Sequence, residues 1–107
     1  MDLSQEAWKS KFEADENAFL LDVRTPEEYD VGHIPEATLL NIRDPQAFVQ
    51  GLESLEPSKN YYVYCRSGAR GAQACQLMNQ MGIYSAYNLL GGYMEWEADS
   101  AQQGTIT

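Results

Sequence analysis

Four short apolar runs recur along this chain, AFLLDV (18–23), TLLNI (38–42), YYVY (61–64) and YSAYNLL (84–90), and each is followed by a segment that opens like a helix. Runs this short, bounded by polar residues, have the pattern of strands covered on both faces. They lie too far apart for hairpins, so successive strands must run the same way and cross over through the helices between them. An α/β fold is therefore predicted, with a mainly parallel sheet of about four to five strands and helices on both faces. Sheets of this kind bind ligands outside the carboxyl ends of their strands. Cys65 stands at one such end.

The helix boundaries are marked in several places. Ser4 is a cap, Glu6 favours the first turn, and Leu3 and Trp8 are placed as a hydrophobic staple for a helix running to about Asn17. Thr25-Pro26-Glu27-Glu28 supplies a cap, a helix-first proline and a capping-box glutamate in succession, and Gly32-His33-Ile34-Pro35 ends that short helix. Asp44 and Pro45 open another, through about Ser54, ahead of the turn-rich EPSKN. From about Ala69 to Met81 the apolar positions Ala74, Cys75, Met78 and Met81 trace one helical stripe, which Gly82 ends. GGYMEWEADS reads as a turn and a short helix. Residues 1–100 are expected to form a single domain, and 101–107 a flexible tail.

A chain of 107 residues, 44% hydrophobic, can bury a core without disulfides or metal. Its two cysteines, Cys65 and Cys75, make no disulfide framework, and with the single His33 they lack zinc-ligand spacing, so neither metal nor cofactor is expected. No apolar run approaches the roughly 20 residues of a membrane helix, and MDLSQEAWKS lacks the pattern of a secretory signal. A cytoplasmic location is the expectation. The net charge of −9 argues against nucleic acid or an acidic membrane as partner, since both call for clustered Lys and Arg. That charge is unevenly spread: no Asp or Glu falls between Glu56 and Glu95, whereas Lys59, Arg66 and Arg70 do. Core strands and helix would account for such a gap, and so would a locally positive site on a negative body.

The segment YYVYCRSGARG concentrates the chemistry. A strand feeding a helix from about Ala69 places Cys65 beneath that helix's first turn, where unpaired amides converge and the dipole is positive. Gly68 lets the chain curl so that successive amides form an anion-binding nest, and Ser67 adds a hydroxyl donor. Arg66 and Arg70 bring full positive charge, Arg70 with a planar fork suited to oxyanions. These features favour the thiolate of Cys65 over its thiol. His33 lies in a different segment, so a Cys-His protease arrangement lacks support.

CRSGAR (65–70), LLDVRTPEEYDVGHIPEA (20–37) and LLGGYMEW (89–96) together resemble, in order and over nearly the whole chain, the single-domain rhodanese family of sulfurtransferases. The resemblance implies that Cys65 is a nucleophile that takes a sulfane sulfur from thiosulfate or a similar donor, becomes a persulfide, and passes the sulfur to cyanide or a thiol. It further implies that the backbone of Arg66, Ser67, Gly68, Ala69 and Arg70 holds the persulfide sulfur, while Arg66 and Arg70 draw in the anionic donor. The implied partners are a small anionic sulfur donor and a thiol or protein acceptor, with the protein acting as a monomer. Related phosphatases and arsenate reductases resemble a Cys-x5-Arg design. Here Arg70 comes one position sooner and Gly71 stands in its place, so the pocket suits a single sulfur atom better than a tetrahedral oxyanion.

Asp22 and Arg24 match the family motif as structural support, with Asp22 bonding backbone near the active loop and Arg24 pairing with Glu28. Glu28 also has a local use as the capping-box partner of Thr25. His33 is expected to bond nearby backbone, and Cys75 to lie in the core. Gly91, Gly92 and Trp96 read as a tight turn and a core aromatic; Tyr93 and Met94 could border the pocket, which the sequence leaves open. The family usually has a small residue, often Gly, where Glu36 stands, and a shorter join to the next strand than ATLLNI. Rival functions are a non-turnover interaction or sulfur-relay module that still needs Cys65, and an inactive domain, which a buried Cys65 in a collapsed loop would indicate.

Overall fold

The computed structural model describes residues 1–97, so the tail expected at 101–107 lies outside the described residues. Five strands form one parallel sheet in the order β1-β5-β4-β2-β3: β1 (Asp2–Leu3), β2 (Ala18–Asp22), β3 (Thr38–Leu39), β4 (Asn60–Tyr64) and β5 (Ala86–Leu89). Between them run α1 (Gln5–Ala14), α2 (Pro26–Val31), α3 (Pro45–Glu53) and α4 (Ala69–Gln80), and residues 92–97 are helical. The α/β architecture predicted from the alternating runs is the one observed.

Strand β4 lies in the middle, pairing with β2 from Asn60 opposite Ala18 to Tyr64 opposite Asp22, and with β5 through Tyr61, Tyr62 and Val63. Its side chains alternate between two cores, as the pleat requires. Tyr61, Val63 and Cys65 join Phe48 and Leu52 of α3 and Ala74, Cys75 and Met78 of α4. Tyr62 and Tyr64 turn to the other face, against Trp8 of α1 and Ile34, Ala37 and Leu89. Helices therefore cover both faces. Trp8 is fully buried, edge-on to Tyr62, Tyr64 and Trp96, and its indole N–H donates to the Tyr87 carbonyl at 3.1 Å.

The capping signals act as their chemistry dictates. Ser4 accepts from the Ala7 amide, Asp44 accepts from the Ala47 amide, and Thr25 with Glu28 forms a complete capping box. Elsewhere the boundaries differ from the sequence expectations. Asp2 and Leu3 form a two-residue edge strand beside β5, and α1 stops at Ala14, where Asp15 turns to serve Tyr62, Asn60 and Asn17. TLLNI gives only the two residues of β3, because pairing with β2 ends at Asp22; Leu40 and Ile42 then donate singly to the carbonyls of Asp22 and Val23. Just before β3, Glu36 holds φ at 75°, a left-handed turn that glycine adopts freely and a side chain rarely does.

Candidate active site

Cys65 follows the last residue of the central strand, and α4 begins four positions later. Gly68 caps that helix at φ 117° and ψ −22°, with no side chain satisfying the first-turn amides. That conformation suits glycine, and it turns the Gly68 N–H onto the Cys65 sulfur at 3.0 Å. The amides of Arg66, Ser67, Ala69 and Arg70 have no acceptor among the described residues. A sulfur atom thus sits under an uncapped helix terminus with donors to spare.

The loop is held from behind by the start of the helix at 92–97. Tyr93 and Met94 donate their amides to the carbonyls of Cys65 and Arg66, at 2.8 and 3.0 Å. Gly92, at φ 60°, lies so close to those two carbonyls that a β-carbon has no room. The GGY turn therefore does more than reverse the chain: it fixes the loop's outward carbonyls. From the sheet side, Asn88 of β5 donates its side-chain amide to the Gly68 carbonyl at 3.0 Å.

Two ion pairs form at the site among the described residues. Arg24 pairs with Asp22, the N–O distance being 2.7 Å, and not with Glu28 as expected. The reason is local: Asp22 also accepts from the Arg24 amide at 3.0 Å, so the Asp-x-Arg turn places carboxylate and guanidinium side by side before any longer reach is needed. Asp22 correspondingly bonds Arg24 and not the backbone of the active loop. The Arg24 guanidinium also donates to the Gly32 carbonyl at 2.8 Å and stacks over the Tyr93 ring, 4.4 Å from its centre. Glu28 pairs with Arg70 through two bonds of 2.7 and 2.9 Å. The Arg70 fork, assisted by Thr25 against the cost of partial burial, holds the Glu28 carboxyl down at about 2. Arg66 is exposed and makes no ion pair among the described residues.

Beside the loop opens a cleft of about 330 Å³ lined by Arg24, Glu27, Glu28, Val31, Gly32, Arg66, Tyr93, Met94 and Glu97. Arg66 connects it to the loop, and Val31 and Met94 form an exposed apolar edge. Cys65 itself is only 1% exposed and does not line this cleft. Ser67 and Ala69 lie on the open side of the loop and Gly68 on the buried side. Within the loop the Gly68 amide points at the sulfur.

Other singled-out residues take simpler places. The His33 ring contacts the Tyr29 carbonyl through Nδ1 at 2.9 Å and stacks on the Tyr29 ring. Cys75 is buried in the interior of α4, and that burial pushes its thiol up to about 11. Among the described residues there is no grouping of His, Cys, Asp and Glu fit to hold a metal, and no helix is long and apolar enough to cross a membrane. Asn88, Glu27, Val31 and Glu97 were not singled out by sequence reasoning. Asn88 had one visible signal, an amide side chain inside an otherwise apolar strand.

The fold and the loop define a protein that presents a cysteine at the carboxyl edge of a parallel sheet. Comparison with known proteins agrees. The model of the rhodanese-like domain matches residues 4–99, and the chain belongs to the rhodanese-like family. YtwF of Bacillus subtilis, named provisionally as a sulfurtransferase, is 36% identical over 99 residues, 92% of this chain and 92% of that protein. A sulfurtransferase of Allochromatium vinosum is 32% identical over 96 residues, 89% of this chain and 86% of its own length. The human single-domain sulfurtransferase TSTD1 has a similar structure, with a TM-score of 0.72 at 31% identity over 91% of this chain and 95% of that one.

Proposed function

We propose that this protein is a sulfurtransferase that works through a persulfide on Cys65. The observation that carries this is the Gly68 amide on the Cys65 sulfur at 3.0 Å, at a helix terminus with unused donors beside it. Fixed donors of this kind stabilise negative charge on sulfur without any rearrangement during the reaction. Relatives that carry the name sulfurtransferase over most of their length support the same reaction class.

The first step is attack of the Cys65 thiolate on the outer sulfur of thiosulfate or a similar sulfane donor. The donor's S–S bond breaks, and sulfite leaves with the electron pair. Cys65 then carries one extra sulfur, whose negative charge faces the amides of Arg66 to Arg70. In the second step cyanide or a thiolate attacks that terminal sulfur, and the Cys65 thiolate is released as the leaving group. Arg66, exposed at the cleft and without an ion pair among the described residues, attracts the anionic donor; Arg70 shapes the loop through Glu28. No metal or cofactor takes part, and the two free thiols fit a reducing compartment such as the cytoplasm, with the protein acting as a monomer.

A second reading has a specific observation in its favour. Glu27 and Glu97 line the cleft beside Arg66, and Cys65 is almost wholly buried, so a free dianion approaches against carboxylates and meets a covered sulfur. A persulfide carries a single negative charge, so the same carboxylates oppose a sulfur relay less than they oppose thiosulfate. Mass spectrometry after incubation with thiosulfate, beside a steady-state assay with cyanide, separates the readings. Thiocyanate production that depends on Cys65, with an adduct of one sulfur atom on that residue, is expected for the enzyme. An adduct without turnover would favour the relay. Sulfur transfer persisting in Cys65→Ser would overturn both.

A further inference from the structure

Asn88 is completely buried, and its carbonyl oxygen Oδ1 is the one buried side-chain polar atom without a partner among the described residues. Its Nδ2 uses both protons: one goes to the Gly68 carbonyl at 3.0 Å, the other to Asp2 Oδ1 on β1, also at 3.0 Å. The orientation is forced. Turning the amide over would set Oδ1 against two acceptors, and Nδ2 against the Cα of Gly71, where a β-carbon would collide with Asn88. Gly71 therefore has no side chain because Asn88 lies beneath it. A buried acceptor is left unpaired so that two donors can be delivered in fixed directions.

The Gly68 carbonyl that Asn88 holds also accepts from the Ala72 amide at 3.0 Å, so it points along α4 and towards the sheet. A trans peptide is planar, and its N–H points opposite to its C=O. The Ala69 N–H is thereby aimed out of the helix terminus, away from Asn88 and from the Ala72 amide. We infer that Asn88 is a positioning residue for the sulfur-binding loop, aiming the Ala69 amide by holding the carbonyl of the same peptide unit. This rests on the reading of the loop as a cradle for sulfur, and it assigns the aim of one donor to a side chain outside the loop.

Asn88→Leu keeps the number and branching of the heavy atoms while removing the donor and the unpaired acceptor together, so folding, checked by circular dichroism, is expected to survive. In that variant kcat for sulfur transfer should fall about tenfold or more with KM little changed, since a transition-state donor is misdirected while donor capture at Arg66 is untouched. The rate of Cys65 alkylation by iodoacetamide should fall with it. Asn88→Asp, which sets a carboxylate against two acceptors, should fall further. A folded Asn88→Leu protein with kcat and alkylation rate both within about twofold of wild type would overturn the assignment.

A measurement on the unaltered protein stands beside the variants: the side-chain amide protons of Asn88 should exchange slowly with solvent by NMR. Exchange at the rate of a free amide would equally overturn the assignment. The alkylation and exchange measurements do not depend on turnover. If the wild-type protein transferred no sulfur, the proposed function would fail while these two still judged Asn88.

Discussion

Arg70 and Glu28 meet through two parallel hydrogen bonds of 2.7 and 2.9 Å, although 42 positions separate them in the chain. The pair joins the first turn of α4 to the first turn of α2, so one carboxylate both completes a capping box and braces the active loop. Glu28→Gln should lower stability by about 2 kcal/mol, since it leaves a half-buried guanidinium without its counter-charge. For a domain of this size that is a fall of roughly 8–16 °C in Tm, readable by calorimetry.

The same pair sets an acid limit. The Glu28 carboxyl is held at about 2 in the folded protein against an ordinary 4.5. Its contribution is therefore fully present above about 4.5 and is lost as pH falls through about 2. Between those limits wild-type Tm should drop more steeply with pH than that of Glu28→Gln. Parallel curves would show that the pair contributes nothing to the acid dependence.

Gly92→Ala should damage the loop without altering the Cys65 thiol. A methyl group there meets the carbonyls of Cys65 and Arg66, and the backbone already sits at φ 60°. A cost of roughly 2 kcal/mol or more is expected, with a reduced yield of Cys65 persulfide measured by mass spectrometry.

Glu36→Gly should stabilise the protein. Glu36 holds φ at 75° with an L side chain, a conformation that costs about 1–2 kcal/mol and that glycine adopts freely. After the added chain entropy of glycine, a gain of about 0.5–1 kcal/mol should remain, seen as a higher urea midpoint with an unchanged slope.

The two thiols should separate in peptide mapping. Burial pushes Cys75 up to about 11, so at about pH 8 iodoacetamide should label Cys65 in the native protein and reach Cys75 only after unfolding. Cys75→Ala should keep the persulfide yield of wild type.

Local chemistry was legible in the sequence; pairings across the sheet were not. Thr25, Pro26 and Glu28 announce their helix because capping is decided within one turn. The strands at 60–64 and 86–89 announce themselves by apolar content, and the glycine-bearing loop by its place between strand and helix. The expected pairing of Arg24 with Glu28 does not form, because the two-residue turn that gives Arg24 to Asp22 instead depends on backbone dihedrals. Arg70 could not be matched to Glu28 without knowing that β4 and β2 are neighbours. The role of Asn88 was out of reach for the same reason, since its meaning lies in the carbonyl of a residue 20 positions away. The strand at Asp2–Leu3 was missed because two residues carry no periodicity, and the one at Thr38–Leu39 was expected to run on to Ile42.

The two outermost strands, β1 and β3, are each two residues long. A margin so brief offers a second molecule almost no exposed ladder on which to lay a strand of its own, which is how sheet proteins are kept from growing into fibres. The chain can therefore carry a long, aromatic middle strand and still be expected to stay dispersed when crowded.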